Sequence, residues 1–175
     1  MDYQTIINGM KRFGSTETEI CVRGLGLLPE QIHEHVILAP WLDPSVLSGL
    51  GEAVRLSEPD ASVQIWDIQS KDGVLTFIKT GMGAPVFMDV VLSLGMTCCK
   101  KILFVGSVGA LDPAIGIGDI VIPEYSICGD GASRYIASGD LAGKDCWGEK
   151  TYPDPGLLQI VKEETEQVCR QHEIR

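Results

Sequence analysis

The chain has 175 residues, 45% of them apolar, with a net charge of −10 and a pI of about 4.6. That length supports one domain with a sizeable core, and an acidic balance without a basic stripe argues against a nucleic-acid-backbone binder. No apolar run approaches the ~20 residues of a membrane span, and the opening Met-Asp-Tyr-Gln-Thr lacks the basic and apolar regions of a signal peptide, so a cytoplasmic protein is expected.

In chain order, residues 1–30 read as mixed, with Gly24 and Gly26 in a loop and Pro29 opening a short helical turn. His35–Ala39 is a short strand closed by Pro40. Pro44–Val54 reads as a helix with Asp43 as its cap. Ser62–Ile68 alternates as a strand does. Asp72-Gly73 is a hairpin turn signal, and Val74–Lys79 is the returning strand. A helix over 84–95 follows. Ile102–Val105 reads as a buried strand and Ile120–Pro123 as another. Leu157–Gln171 is an amphipathic helix with Leu157, Leu158, Val161 and Val168 on one side. Strands alternating with helices imply an α/β sheet, and the hairpin makes it mixed rather than purely parallel.

Six cysteines, at 21, 98, 99, 128, 146 and 169, form neither a C-x-x-C pair nor an even framework. No disulfide scaffold or zinc site is expected. The vicinal Cys98-Cys99 reads as buried thiol. His33 and His35 would share a strand face but have no third ligand nearby in sequence, so a surface or turn role is expected.

Two stretches carry chemistry. In Val74–Gly95 an apolar strand runs into Gly81-Met82-Gly83 and then into a helix. Such a turn brings bare backbone N–H groups to a helix N-terminus, where an anion can sit. By themselves the two glycines make only a tight strand-to-helix turn. In Ile102–Pro123 a second apolar strand ends in Gly106-Ser107-Val108-Gly109, followed by Ala-Leu-Asp-Pro and Gly116-Ile117-Gly118-Asp119. Glycine-bearing strand ends at 81–83 and 106–109 would meet at the carboxyl edge of the sheet, where open α/β sheets bind ligands. A dinucleotide fingerprint is a poor fit. Gly81-x-Gly83-x-x-Val86 lacks the third glycine, and Lys100-Lys101 stand where an acidic residue is expected.

Thr80–Pro85 (TGMGAP), Val105–Pro123 and Asp130–Tyr135 (DGASRY) together resemble the purine nucleoside and uridine phosphorylase superfamily, which includes nucleosidases. Trp66, Asp72-Gly73 and Thr80 fall where the uridine phosphorylase hairpin would put them. The resemblance spans roughly residues 34–165. It implies a three-layer α/β/α fold with a mixed central sheet, incomplete at the C-terminus, as one domain over 1–175 with a lead-in over 1–33. It also implies cleavage of the N-glycosidic bond of a purine or pyrimidine nucleoside, as the ribose C1′ becomes cationic and phosphate or water arrives from the opposite face. Under that resemblance Ser107 offers its hydroxyl and N–H to the nucleophile's oxygens. Val108 and Gly109 line the base and ribose pocket, Ile78 packs on the sugar, and Gly81 and Met82 form the supporting turn. The implied partners are a small nucleoside and copies of the chain itself, as a dimer or trimer of dimers. No metal or cofactor is implied, and phosphate enters only as co-substrate.

The sequence departs from that pattern in two ways. In the family a further αβ portion follows a helix like Leu157–Gln171. It carries the Met-Glu motif for the ribose hydroxyls and the Asp that protonates a purine. The sequence ends at Arg175 before such a portion, so it reads as a truncated member, inactive as the 175-residue chain alone. Second, the phosphate arginines are replaced. Asp43-Pro44 survives from the Gly-Asp-Pro-Gly-Arg loop without its glycine and arginine. Phe104 stands where an arginine is expected, and the arginine before Trp66 would fall near Ala61, with Arg55 about six positions away. Bidentate arginines are the usual phosphate clamp, so water as nucleophile is favoured. The other reading is a non-catalytic nucleoside-binding or regulatory relative that keeps the fold.

Overall fold

A computed structural model describes residues 3–138, 145–172 and 174. Helices α1 (Tyr3–Arg12) and α2 (Glu17–Leu25) precede strand β1 (His35–Ala39). Strands β2 (Gly51–Arg55), β3 (Gln64–Ser70) and β4 (Gly73–Lys79) form an antiparallel meander. Helix α3 (Ala84–Leu94), strand β5 (Lys101–Phe104), the short pair β6 (Ser126–Ile127) and β7 (Lys150–Thr151), and helices α4 (Gly131–Ser138) and α5 (Pro155–His172) follow. The main sheet runs β2-β3-β4-β1-β5, with β1 parallel to both β4 and β5. A mixed sheet flanked by helices is the fold class expected from the sequence.

The lead-in is more ordered than its composition suggests. Thr16 and Glu19 make a reciprocal capping box: Glu19 N–H donates to Thr16 Oγ1 at 3.2 Å and Thr16 N–H to Glu19 Oε2 at 2.8 Å. The Thr16 N–H, and after it the Thr16 hydroxyl at 3.0 Å, hold the Glu19 carboxyl below its ordinary value. Gly24, expected in a loop, lies inside α2. Gly26 closes the helix at φ 74°, donating to Val22 O at 2.8 Å, a left-handed cap that glycine adopts without steric cost.

The core lies on both faces of the sheet. One cluster joins Cys21 and Leu25 of α2, Val90 and Leu94 of α3, and Val36, Leu38, Ile65 and Ile78 of the sheet. The other holds Ala39, Trp66, Ile68 and Phe77, with Leu42 and Leu47 packed against them. Phe77 meets Trp66 edge-on, with ring centroids 6.0 Å apart.

Four expectations need correction. Pro44–Val54 is not a helix. A 3₁₀ turn over Pro44–Leu47 gives way to β2, because Gly49 and Gly51 weaken a helix and β3 offers a partner edge. Asp43 makes no side-chain cap there; it pairs with Lys79 at 3.1 Å. Ile102–Val105 is a strand, shifted by one residue, but not a buried one: among the described residues β5 has a neighbour on one side only, and Leu103, Phe104 and Val105 are exposed. Ile120–Pro123 is not a strand, since no strand among the described residues pairs with it. Cys98 is exposed and Cys99 half-buried rather than both being buried. His33 Nε2 stands 3.1 Å from the buried Asp67 Oδ1 without a hydrogen bond between them.

Candidate functional site

The carboxyl ends of β4, β1 and β5 lie side by side. Leu38 sits opposite both Ile78 and Phe104, and Ala39 opposite Lys79. The pairing continues past the strands, with Thr80 N–H on Ala39 O and Val105 N–H on Leu38 O, each at 2.9 Å. Because all three strands are parallel, the Gly81–Gly83 and Gly106–Gly109 turns leave the sheet from one edge.

The first turn is built by backbone freedom and one buried hydroxyl. Gly81 (φ 83°) and Gly83 (φ 109°) both adopt positive φ, which side-chain-bearing residues rarely do. Thr80 is buried, and its hydroxyl reaches Gly81 O at 2.8 Å. Gly83 N-caps α3 without a side-chain bond, and Pro85 in the first turn carries no N–H to leave unmet. The helix therefore presents its positive end at this edge.

The second turn starts on an aromatic floor. Phe104 packs edge-on against Phe87 of α3, with centroids 5.1 Å apart and planes at 84°. A Cβ on Gly106 would come within 3.6 Å of both the Phe104 ring and Pro40. Phe104 thus lies between Pro40, Gly106 and the start of α3. Beyond it, Asp112 Oδ1 accepts from Ala114 N–H and Asp119 Oδ2 from Gly116 N–H, each at 2.8 Å, shaping the loop.

The sequence-nominated residues divide. Gly81, Met82, Ser107, Val108 and Gly109 all sit on the two turns at this edge. Met82 is 76% exposed and Val108 78% exposed, and Ser107 and Gly109 are exposed. Ile78 is fully buried beneath them with Leu38 and Ile65. Two cavities among the described residues lie elsewhere. One of ≈ 810 Å³ runs between Ile120-Ile122 and α5 (Lys162, Thr165, Cys169), and one of ≈ 180 Å³ lies between Tyr3, Leu94 and Ile102.

Three cations sequence reasoning weighed or overlooked are committed to the fold. Lys79, at the end of β4, is met by Asp43 at 3.1 Å. Arg55 donates to Ser57 O, Glu58 O and Pro59 O at 3.0–3.1 Å and lies over the Trp66 ring. It sits on β2, four strands from β5, hence about 19 Å across the sheet. Arg134, inside the DGASRY motif, grips Asp145 with two bonds at 2.7 and 2.5 Å. The Asp145 carboxyl is held low, first by the Trp147 N–H and then by that arginine. Asp130 caps α4 through Ala132 N–H, Ser133 N–H and the Ser133 hydroxyl, and the Ser133 bonds hold its carboxyl low. The sequence reading used the motif only for its resemblance, and the cap, the ion pair and the helix all went unread.

A family model described as the phosphorylase superfamily matches residues 52–175. The chain belongs to the phosphorylase superfamily. Its fold is similar to that of uridine phosphorylase from Vibrio fischeri ES114, solved with 6-hydroxy-1-naphthoic acid: TM-score 0.64, 23% identity, covering 78% of this chain and 53% of that one. It is also similar to purine nucleoside phosphorylase from Toxoplasma gondii in complex with immucillin-H: TM-score 0.66, 19% identity, covering 85% and 56%. The chain therefore spans about half the length of these solved phosphorylases. A search of curated proteins finds no match. Within this phosphorylase-superfamily chain, the carboxyl edge carries the partial charges of the α3 N-terminus and the Ser107 turn, with the Phe104 ring beside Gly106.

Proposed function

We propose that the carboxyl edge of β4, β1 and β5 handles a nucleoside, and that a protein carrying this fold together with the half that the solved phosphorylases add cleaves its N-glycosidic bond with water rather than phosphate as nucleophile. Ser107 offers its hydroxyl and N–H to the nucleophile, Val108 and Gly109 face the base and ribose, Ile78 supports the sugar side from beneath, and the Gly81-Met82 turn holds the edge in shape. Such a protein acts in nucleoside catabolism or salvage, in the cytoplasm, as a homo-oligomer, with residues 1–175 as one phosphorylase-like domain within it.

The observation that carries this reading is Phe104, packed on Phe87 where the family resemblance expects a guanidinium. The engagement of Arg55 with three carbonyls supports it, since the one displaced arginine is already occupied. Water needs no charge neutralisation on entering such a site, whereas phosphate does.

The test is base release from a panel of purine and pyrimidine nucleosides, with and without inorganic phosphate, identifying the sugar product. Free ribose at a rate indifferent to phosphate is expected. Ribose 1-phosphate rising with added phosphate would overturn the hydrolytic assignment. The exposed, shallow setting of Met82 and Val108 favours one other reading, a non-catalytic nucleoside-binding relative. Saturable nucleoside binding by calorimetry without any base release would establish it.

A further inference from the structure

Cys128 and Cys146 stand 18 positions apart in sequence, yet their Sγ atoms are 3.8 Å apart. The fold brings them together by two means. The β6–β7 pairing continues into Cys128, whose N–H donates to Glu149 O at 2.9 Å and whose carbonyl accepts from Gly148 N–H at 2.8 Å. A turn closed by Glu149 N–H on Cys146 O at 3.0 Å then folds Cys146 back over Cys128. Cys146 is 3% exposed and Cys128 half-buried. Among the described residues no three His, Cys, Asp or Glu side chains gather as a metal site would need. Around the thiol pair, the Ser133 hydroxyl lies 3.6 Å from Cys128 Sγ, and Cys146 Sγ donates to Arg134 O at 3.3 Å.

We propose that Cys128 and Cys146 form a redox-active dithiol that closes to a disulfide when the protein meets a peroxide and reopens with a thiol reductant. Cys128, the more accessible, attacks first. Its thiolate takes the terminal oxygen of the peroxide and becomes a sulfenic acid, while the cleaved O–O bond leaves an alcohol, or water when the oxidant is hydrogen peroxide. The Cys146 sulfur then attacks the sulfenic sulfur, the S–S bond forms, and hydroxide departs with the Cys146 proton as water. Two thiols lose two electrons and the peroxide gains them. The new bond closes a ring that carries Asp130 and α4.

The other thiols are placed differently. Cys21 is buried, donates to Leu27 O at 3.5 Å, and is pushed up to about 11 by burial, which keeps it protonated and inert. Cys98 donates to Ile32 O at 3.0 Å, and its vicinal neighbour Cys99 is raised by burial. Two adjacent cysteines can join only through a strained small ring.

The experiment treats the reduced full chain with hydrogen peroxide, blocks remaining thiols with N-ethylmaleimide, and digests with trypsin without reduction. The expected product joins peptide 102–134 to peptide 145–150, with four of the six cysteines alkylated. Dithiothreitol should return all six. Cys128→Ser and Cys146→Ser should each abolish the joined peptide, and unfolding in urea should remove its preference over other pairings. Six alkylated cysteines after peroxide, a joined peptide through any other cysteine, or equal cross-linking in urea would each overturn the proposal.

Discussion

Phe77 and Phe104 show how one residue type takes two roles. Phe77 is 1% exposed and meets Trp66 edge-on, whereas Phe104 is 55% exposed and touches Phe87 alone among aromatic rings. Phe77→Ala should cost about 3–5 kcal/mol in urea unfolding, because it removes transfer energy and leaves a cavity. Phe104→Ala should cost only about 1–2 kcal/mol, for half the burial and one ring contact. Equal costs would make Phe104 a core residue and undercut its place at the site. At this scale the sequence spoke through identity. A phenylalanine shortly before Gly106-Ser107 reads, under the family resemblance, as standing where an arginine is expected. What it packs on was not legible, because Phe87 lies 17 positions earlier and on another element.

Helix α2 reaches α3 through a glycine. A Cβ on Gly24 would stand well inside contact of Ser93 Oγ and 2.9 Å from Ser93 Cβ. Ser93 is buried and its hydroxyl already donates to Asp89 O at 2.8 Å, so it has little freedom to move aside. Gly24→Ala gains helix propensity, yet it should destabilise by about 1–3 kcal/mol through overpacking. Adding Ser93→Ala should return part of that loss by removing the nearer atom. A thermal shift upward for the single variant would sink this account. The sequence signals for α2 were complete, with Thr16-x-x-Glu19 at its start and Gly26 past its end. They were passed over because Gly24 was read as loop. The segment 44–54 failed for a different reason: its outcome depends on β3, a partner no local pattern reveals, and the largely exposed β2 carries no alternation to read.

For the whole molecule, β5 is the informative border. Its outer side pairs with no strand among the described residues, and Leu103, Phe104, Val105, Val108, Leu111 and Ile117 are exposed nearby. Such an edge and apolar patch favour association. The chain is expected to self-associate with rising concentration in sedimentation velocity, and Leu103→Lys to weaken that association. A monomer at every concentration, or no response to the lysine, would count against it. The fold class was legible because strand, glycine turn and helix recur in order. The exposure of β5 was not, because an apolar strand reads the same whether its neighbours are present or absent. The strand order carries a timing consequence as well. Strand β1, which lies between β4 and β5, ends at Ala39, while its first partner ends at Lys79. On a ribosome adding ~5–20 residues per second, β1 would wait roughly 2–8 s for that partner to emerge. Meanwhile Val36 and Leu38, both destined for the core, have only the lead-in helices to shelter them. The β3–β4 hairpin needs no such wait, because its strands are joined by a tight turn. The nascent chain should therefore complete its hairpin first and dock β1 onto the free side of β4. That interval is when a chaperone would have most to hold.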